Sequence, residues 1–160
     1  MDQDSKKYLE RYLNSLSTLN RKKYQKFDAY HFCADEENAN ICAELVLKGE
    51  KRATASLVWS YEYENEPLPE IGQLVVITDW NKTPKCIIET MSIEIRPYRT
   101  VDAEFAFEEG EGDKSLEYWK KEHWKFFSEE CKILGKQPND EMSVIFEKFK
   151  VVFSDTFLKG

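Results

Sequence analysis

Apolar residues near the start of the chain recur every three or four positions between charged residues, which is typical of an amphipathic helix. This pattern predicts a first helix over residues 4–19. A second helix is expected after Asp35, whose carboxylate can cap its N-terminus, and Gly49 stands where a left-handed C-cap would end it. The basic stretch 20–26 indicates a solvated connector, although an arm that contacts nucleic acid would have the same composition.

Beyond the second helix the pattern changes to short runs that predict strands. The predicted strands cover residues 53–63, 73–79, 85–96 and 142–153, with a short helix over 101–107 and a longer helix, capped by Asp113, that ends at Leu134. Strands and helices do not alternate strictly, which disfavours a doubly wound parallel sheet. We expect an α+β fold, a small β-barrel of mixed or antiparallel strands with helices packed around it. Residues 1–28 would form an N-terminal helix and connector, and residues 29–160 the main domain.

The composition indicates a folded domain and limits the classes of ligand. The 160 residues include 10 Phe, 8 Tyr and 4 Trp, too many aromatic residues for a disordered chain. A formal net charge of -7 disfavours a protein that coats nucleic acid, because affinity for the phosphate backbone comes from cationic side chains. A pocket for one nucleotide or nucleoside is compatible with this charge.

The sequence also carries expectations about location and cofactors. No secretory signal and no membrane span are recognisable, so a membrane partner is not expected. The four cysteines are widely spaced and form no CxxC pair, which disfavours zinc and redox sites. We therefore expect a reduced, cytoplasmic protein with no cofactor and no bound metal. Nothing in the sequence indicates an oligomeric state.

A glycine turn followed by cations and hydroxyls is the first candidate for chemistry. Lys51 and Arg52 follow Gly49 closely, and Thr54 and Ser56 come next. If the strand is regular from Arg52, then Arg52, Thr54 and Ser56 share one face. A lysine beside a hydroxyl can act as base and nucleophile when its ammonium loses a proton through desolvation. We expect Lys51 to lie in a cleft and to contribute little to packing. The alternative is a helix C-cap followed by an ordinary edge strand.

An acidic, glycine-containing stretch is the second candidate. Glu108, Glu109, Glu111 and Asp113 lie within six residues, separated by two glycines. One of these carboxylates could hold Lys51 or shuttle its proton. The alternative is an acidic surface loop that leads into a helix. The spacing does not match a calcium-binding loop.

Aromatic residues are the third candidate. Trp59 and Tyr61 would share one face of the predicted strand, and Trp80 follows Asp79 at a predicted hairpin tip. Aromatic side chains on a sheet can stack bases, but such a stripe is more often part of a core. His123 lies on the apolar stripe of its helix and is expected to be a core residue whose ring nitrogens are satisfied.

The segment 45–57, with Gly49, Lys51 and Thr54 in order, resembles the signature of the ASCH domain. The similarity continues through Leu68-Pro69, Gly72, Thr78-Asp79, the stretch Glu109-Gly110-Glu111-Gly112-Asp113, Ser115-Leu116 and Trp119. It covers roughly residues 32–153 and is strongest to the longer bacterial ASCH proteins, once catalogued as a domain of unknown function. The resemblance implies a small barrel similar to the PUA domain, with the lysine-bearing turn over a cleft.

The resemblance also implies a partner and a reaction class. Many members are regarded as RNA-interacting and some as ribonucleases. One branch of short members resembles amidohydrolases that deacetylate N4-acetylcytidine with a lysine, a threonine and a glutamate. Lys51 and Thr54 match the first two, and Glu109 is our choice for the third, with Glu108 and Glu111 as rivals.

Three readings of function follow, all with RNA or a nucleoside as ligand. In the first, Thr54 attacks an N4-acyl group, Lys51 takes its proton, and Glu109 relays that proton to the leaving amine. In the second, the protein is a non-catalytic RNA-binding module, and in the third it is a ribonuclease. The residues expected to bind the ligand are Arg52, Ser56, Trp59, Tyr61, Asp79, Trp80 and Glu111.

Overall fold

The computed structural model describes residues 1–155, which form six α-helices, a short 3₁₀ helix and five strands. The helices are α1 (Gln3–Ser15), α2 (Thr18–Arg21), α3 (Glu36–Leu47), α4 (Val58–Glu64), α5 (Ala103–Glu109) and α6 (Leu116–Leu134), with the 3₁₀ helix at Tyr98–Thr100. The strands are β1 (Phe27–Tyr30), β2 (Ala53–Leu57), β3 (Leu74–Thr78), β4 (Pro84–Pro97) and β5 (Ser143–Ser154). None of the described helices has the length and apolar character that a membrane span needs.

The strands belong to one mixed sheet. Their order is β1-β3-β4-β5-β2, in which β1 runs parallel to β3 while β3 with β4 and β2 with β5 are antiparallel. The expected α+β class with a mixed sheet is therefore confirmed. Among the described strands β1 and β2 stand at the two ends of the order, so this sheet is open and does not show the expected closure into a barrel.

The chain divides into two compact units, each with its own core. The first unit comprises Met1–Glu50, Glu70–Met91 and the chain from Phe149 onward, and the second comprises Lys51–Pro69 and Ser92–Lys148. In the first unit every residue of β3 is buried. Alternate β3 residues join two different hydrophobic clusters, one with α1 and one with α3.

The second unit packs helices against β2 and the first half of β5. Its buried core includes Ala53 and Leu57 of β2, Phe105 of α5, Trp119 of α6 and Phe146 of β5. The α6 helix places Trp119, Phe127 and Cys131 at spacings of eight and four, so these three side chains lie on one helical stripe. This packing brings the C-terminal end of α5 and the first half of α6 next to the start of β2, where the candidate site lies.

The predicted strand over residues 53–63 is the main error in the sequence-based secondary structure. The strand ends at Leu57, and the following residues form α4, which ends at Asn65 in a left-handed conformation. Trp59 packs against the core of the second unit, and Ser60 donates a hydrogen bond to Glu130 of α6 at 2.9 Å. These tertiary contacts favour the helix over the strand that the alternating aromatic residues suggested.

Smaller differences concern one short strand and one helix cap. The short parallel strand β1 was not predicted, since four residues with mixed burial give no periodic signal. The cap of α6 is Ser115, whose hydroxyl accepts from the Tyr118 amide, and not Asp113. The predicted cap of α3, by contrast, is confirmed, because the Asp35 side chain accepts from the Asn38 amide.

Candidate functional site

Lys51 is the centre of a buried group of charges in the second unit. The chain leaves α3 through Gly49, whose φ of +75° is the predicted left-handed turn, and reaches Lys51 just before β2. The ammonium donates to the backbone oxygen of Ala53 at 2.9 Å and pairs with Glu111 Oε2 at 3.1 Å. The Lys51 side chain is only 2% exposed, so the expectation that it contributes little to packing is wrong.

Glu109 and His123 form a second charged pair in the same group. Glu109 is the last residue of α5, is 1% exposed, and its Oε2 lies 2.9 Å from Nε2 of His123. Nδ1 of His123 lies 2.9 Å from the backbone oxygen of Trp119, which can only accept, so Nδ1 carries a proton. The imidazole also stacks on the Trp119 indole, with ring centroids 3.9 Å apart and an interplanar angle of 11°.

The electrostatics of this pair favour its charged form. Burial opposes ionisation of Glu109, but the opposite charges of His123 and Lys51 outweigh it and hold the pKa of Glu109 below its usual 4.5. Burial likewise acts to lower the pKa of His123, and the Glu109 carboxylate outweighs it, so that this pKa lies above 6.5. Both pKa shifts favour the charged pair, an imidazolium beside a carboxylate, over the neutral one.

Two glycines shape the loop that carries the carboxylates. Gly110 ends α5 with φ +71°, and Gly112 has φ +56°. At Gly112 a Cβ atom would collide with the ring of Tyr118, so a side chain has no room there. The tight loop between α5 and α6 is what turns Glu111 back towards the Lys51 ammonium.

The three glutamates of the acidic stretch have different partners. Glu111 contacts Lys51, Glu109 contacts His123, and Glu108 pairs with Lys148 of β5 at 3.2 Å. The backbone oxygen of Glu108 also accepts from the Arg52 amide at 2.7 Å, which ties the end of α5 to the start of β2. Of the three, Glu111 is the one in direct contact with the lysine, while Glu109 acts on it through its charge.

The hydroxyls of β2 face away from its core side. Ala53, Ala55 and Leu57 pack into the core of the second unit, and because strand side chains alternate, Thr54 and Ser56 lie on the opposite face of β2. Thr54 is half-buried and stands opposite Glu147 in the register with β5. The contact of Lys51 with the Thr54 hydroxyl stays a prediction.

The predicted ligand-binding residues fall into separate places. Arg52 is exposed beside Lys51 in the chain, whereas Trp59 and Tyr61 lie on α4 and do not share a strand face. Asp79 and Trp80 belong to the first unit. There the Trp80 ring lies 5.0 Å from that of His31, and Asp79 accepts from the Thr83 amide at 2.9 Å. Stacking of a base on any of these aromatic rings stays a prediction.

His123 is the member of the site that was not selected from the sequence. Its position on the apolar stripe of α6 indicates a core residue; Nδ1 has the Trp119 carbonyl as its partner, and Nε2 lies 2.9 Å from a carboxylate oxygen of Glu109. The available signal was indirect: a histidine one turn after Trp119 can stack on the indole and turn Nε2 to a carboxylate from another element.

Comparisons with known proteins identify the family to which the chain belongs. The model of the ASCH domain matches residues 28–153, and members of that family are associated with RNA binding. A crystal structure of an ASCH domain from Lactobacillus crispatus is similar with a TM-score of 0.91 and 47% identity, covering 95% of this chain and 96% of that chain. A crystal structure of a protein from Enterococcus faecalis is similar with a TM-score of 0.82 and 31% identity, covering 99% of this chain and 94% of that one. No curated protein matches the chain significantly. The chain belongs to the ASCH domain family.

Proposed function

We propose that this ASCH protein binds RNA, or a single modified nucleoside of RNA, at the charged cluster formed by Lys51, Glu111, Glu109 and His123. The observation that carries the proposal is the Lys51 ammonium, which is almost fully buried and lies 3.1 Å from a half-buried carboxylate. Removing an ammonium from water costs several kcal/mol, and buried charges of this kind are concentrated at binding and catalytic sites. The RNA association of the family supports a nucleic-acid ligand.

The donor and acceptor character of the cluster favours one edge of a base. An ammonium donates to carbonyl and ring-nitrogen acceptors, while a carboxylate accepts from an exocyclic amine. Cytosine presents both kinds of group side by side, and a carboxylate that accepts from its N4 amine is a common base contact. The pair of Lys51 and Glu111 therefore matches cytidine or an N4-modified cytidine better than it matches a base whose edge carries only acceptors.

The charge of the protein limits the size of the ligand. A net charge of -7 gives little attraction for a long polyanion, and part of the basic charge within the cluster is already neutralised by carboxylates. A nucleoside or a short single-stranded segment is the ligand that this balance favours.

Hydrolysis of an N4-acyl group is a second candidate, supported by the same ammonium. A charged lysine aimed at an acyl oxygen would stabilise the negative charge that develops during attack on the amide. The ion pair with Glu111 stabilises the ammonium, so this role suits Lys51 better than the role of base. In this proposal Glu109 or Glu111 takes the Thr54 proton as the Thr54 oxygen attacks the acyl carbon. The same carboxyl group then gives that proton to the N4 amine as the amide C–N bond breaks, and water hydrolyses the acyl group from Thr54.

Titration calorimetry with cytidine, N4-acetylcytidine, uridine and short single-stranded RNAs tests the proposal, and mass spectrometry of the same mixtures detects deacylation. Lys51→Met removes the ammonium but keeps an unbranched side chain. Lys48→Met is the matched control, because Lys48 is an exposed lysine at the end of α3.

We expect binding of a cytidine-type ligand that Lys51→Met weakens at least about tenfold, the loss of roughly one charge-assisted hydrogen bond, while Lys48→Met leaves it unchanged. Equal affinities for the two variants, with both folded, contradict the proposal. Binding without product formation identifies a recognition module, whereas release of cytidine identifies a hydrolase.

A further inference from the structure

Three side chains from consecutive parts of the second unit converge on one point. Glu109 ends α5, Glu111 lies in the loop that follows, and His123 lies on α6. One ligand-type atom from each of the three lies within 4.8 Å of the others. We propose that Glu109, Glu111 and His123 bind one divalent transition-metal ion of the zinc or manganese type. The site is the cluster of the proposed function, but the inference does not depend on RNA or nucleoside binding.

His123 is oriented like a metal-binding histidine whose second ring nitrogen is fixed by a hydrogen bond. Its Nδ1 donates to the backbone oxygen of Trp119, and its ring is stacked on the Trp119 indole. A histidine that ligates a metal almost always donates its other ring nitrogen to a carbonyl or carboxylate in this way. The arrangement turns Nε2 to Glu109, 2.9 Å away, and a metal ion there would take the place of the Nε2 proton.

The Glu109 carboxylate gives independent evidence that a cation would be stabilised where the three side chains converge. The residue is 1% exposed, and its Oε1 has no hydrogen-bond partner among the described residues. A buried carboxylate oxygen without a partner is costly, and a cation would satisfy it. Carboxylate oxygens of Glu109 and Glu111 also lie within 4.8 Å of each other, and like charges at short range repel unless a proton or cation lies between them.

The donor set indicates the kind of ion. One imidazole nitrogen and two carboxylates suit Zn²⁺, which takes nitrogen and oxygen ligands, and Mn²⁺, which favours carboxylates, whereas Ca²⁺ takes six or more oxygen ligands and Mg²⁺ prefers oxygen alone. Lys51 neutralises part of the Glu111 charge, which leaves the ligand set less anionic than a calcium site. Ligands of a tetrahedral Zn²⁺ stand about 3.3 Å apart, so the present 2.9 Å between Nε2 and Oε2 needs only a small opening.

The proposal is tested by measuring metal binding to the whole protein. The protein is first freed of metal with a chelator, and no nucleic acid is present. Titration calorimetry with Zn²⁺, Mn²⁺ and Mg²⁺ should give a single site for the first two and much weaker binding of Mg²⁺. Glu109→Gln and His123→Gln should each weaken Zn²⁺ binding at least about 100-fold. Glu104→Gln, an exposed glutamate in the first turn of α5, should leave it unchanged.

Two further measurements separate this site from other sources of binding. Co²⁺ bound at the proposed site should give a visible spectrum without a thiolate charge-transfer band, because no cysteine belongs to the ligand set. Glu111→Gln changes a half-buried loop residue and should weaken binding even if the variants of the buried pair fail to fold. Absence of saturable Zn²⁺ and Mn²⁺ binding, a thiolate band, or unchanged affinity in Glu111→Gln would each overturn the proposal.

Discussion

At the scale of single residues, Lys51 is unusual because its ammonium is almost completely removed from water. The charge is kept by the backbone oxygen of Ala53, the carboxylate of Glu111 and the nearby charge of Glu109. Since each partner is itself partly or fully buried, loss of the lysine removes the ion-pair partner of Glu111 and one of the two cations that act on Glu109. Lys51 therefore contributes to the stability of the fold in addition to its proposed role in binding.

Replacement of Lys51 should destabilise the fold. We expect Lys51→Met to lower the free energy of unfolding by roughly 3 kcal/mol, because it strands buried negative charge, and Lys48→Met to change it by less than about 0.5 kcal/mol. Urea unfolding followed by circular dichroism measures both. Combining Lys51→Met with Glu111→Gln should recover part of the loss, since one of the stranded charges is then gone. A Lys51→Met protein as stable as the Lys48→Met control would show that the charge of Lys51 does not stabilise the cluster.

Gly112 makes a second test possible at this scale. Alanine there would meet both a left-handed φ and the Tyr118 ring, whereas alanine at Gly135, with a similar φ of +70°, meets open space. We expect Gly112→Ala to cost about 2 kcal/mol more than Gly135→Ala in urea unfolding, the cost of overpacking. Equal losses in the two variants would mean that the loop adjusts freely around Tyr118.

At the scale of elements, the parts that could be predicted from the sequence are those set by local chemistry. The amphipathic first helix, the Asp35 cap, the Gly49 turn and most of α6 follow from periodicity and capping, which act within one or two turns. Helix α4 could not be predicted, because its alternating aromatic residues satisfy a strand pattern and only contacts with α6 and the core decide against it.

The same distinction applies to the candidate site. The sequence indicated Lys51 and the acidic stretch, but these are separated by sixty residues, and nothing local determines which glutamate meets the lysine. The position of His123 on an apolar stripe predicts a core residue, because a histidine at such a position usually belongs to the core. Its pairing with Glu109 depends on the packing of α5 against α6, which the sequence pattern does not contain.

The pair that joins α5 to α6 should make stability depend on pH. The pKa of His123 in the folded protein lies above 6.5, so its contribution is fully present below pH 6.5 and is lost as the pH rises through the folded value. The pKa of Glu109 lies below 4.5, so its contribution is present above pH 4.5 and is lost as the pH falls through the folded value. The pair therefore stabilises most between these two values.

Urea unfolding in the presence of a chelator, from about pH 5.5 to 8.5, checks this expectation. The wild-type protein should lose stability over the upper part of this range, and His123→Gln should lose less, because the variant has no imidazole to deprotonate. A parallel decline in both proteins would assign the pH dependence to groups other than this pair.

At the scale of the whole molecule, the net charge of -7 and the small, neutralised cluster determine how binding should respond to salt. A protein that reads phosphates loses affinity steeply with added salt, because it releases condensed counterions. For a nucleoside held by Lys51 and Glu111, we expect the affinity measured by calorimetry to change less than about threefold between 50 and 200 mM salt. A steep, linear loss on a logarithmic scale would instead indicate that phosphate contacts dominate.

The most direct measurement for the central claim is a crystal structure of the protein with the nucleoside that binds it most tightly. The account predicts a pyrimidine whose acceptor edge lies within hydrogen-bond distance of the Lys51 ammonium and whose N4 group faces Glu111. A nucleoside bound elsewhere, for example on Trp80 in the first unit with the Lys51 cluster unchanged, would contradict it.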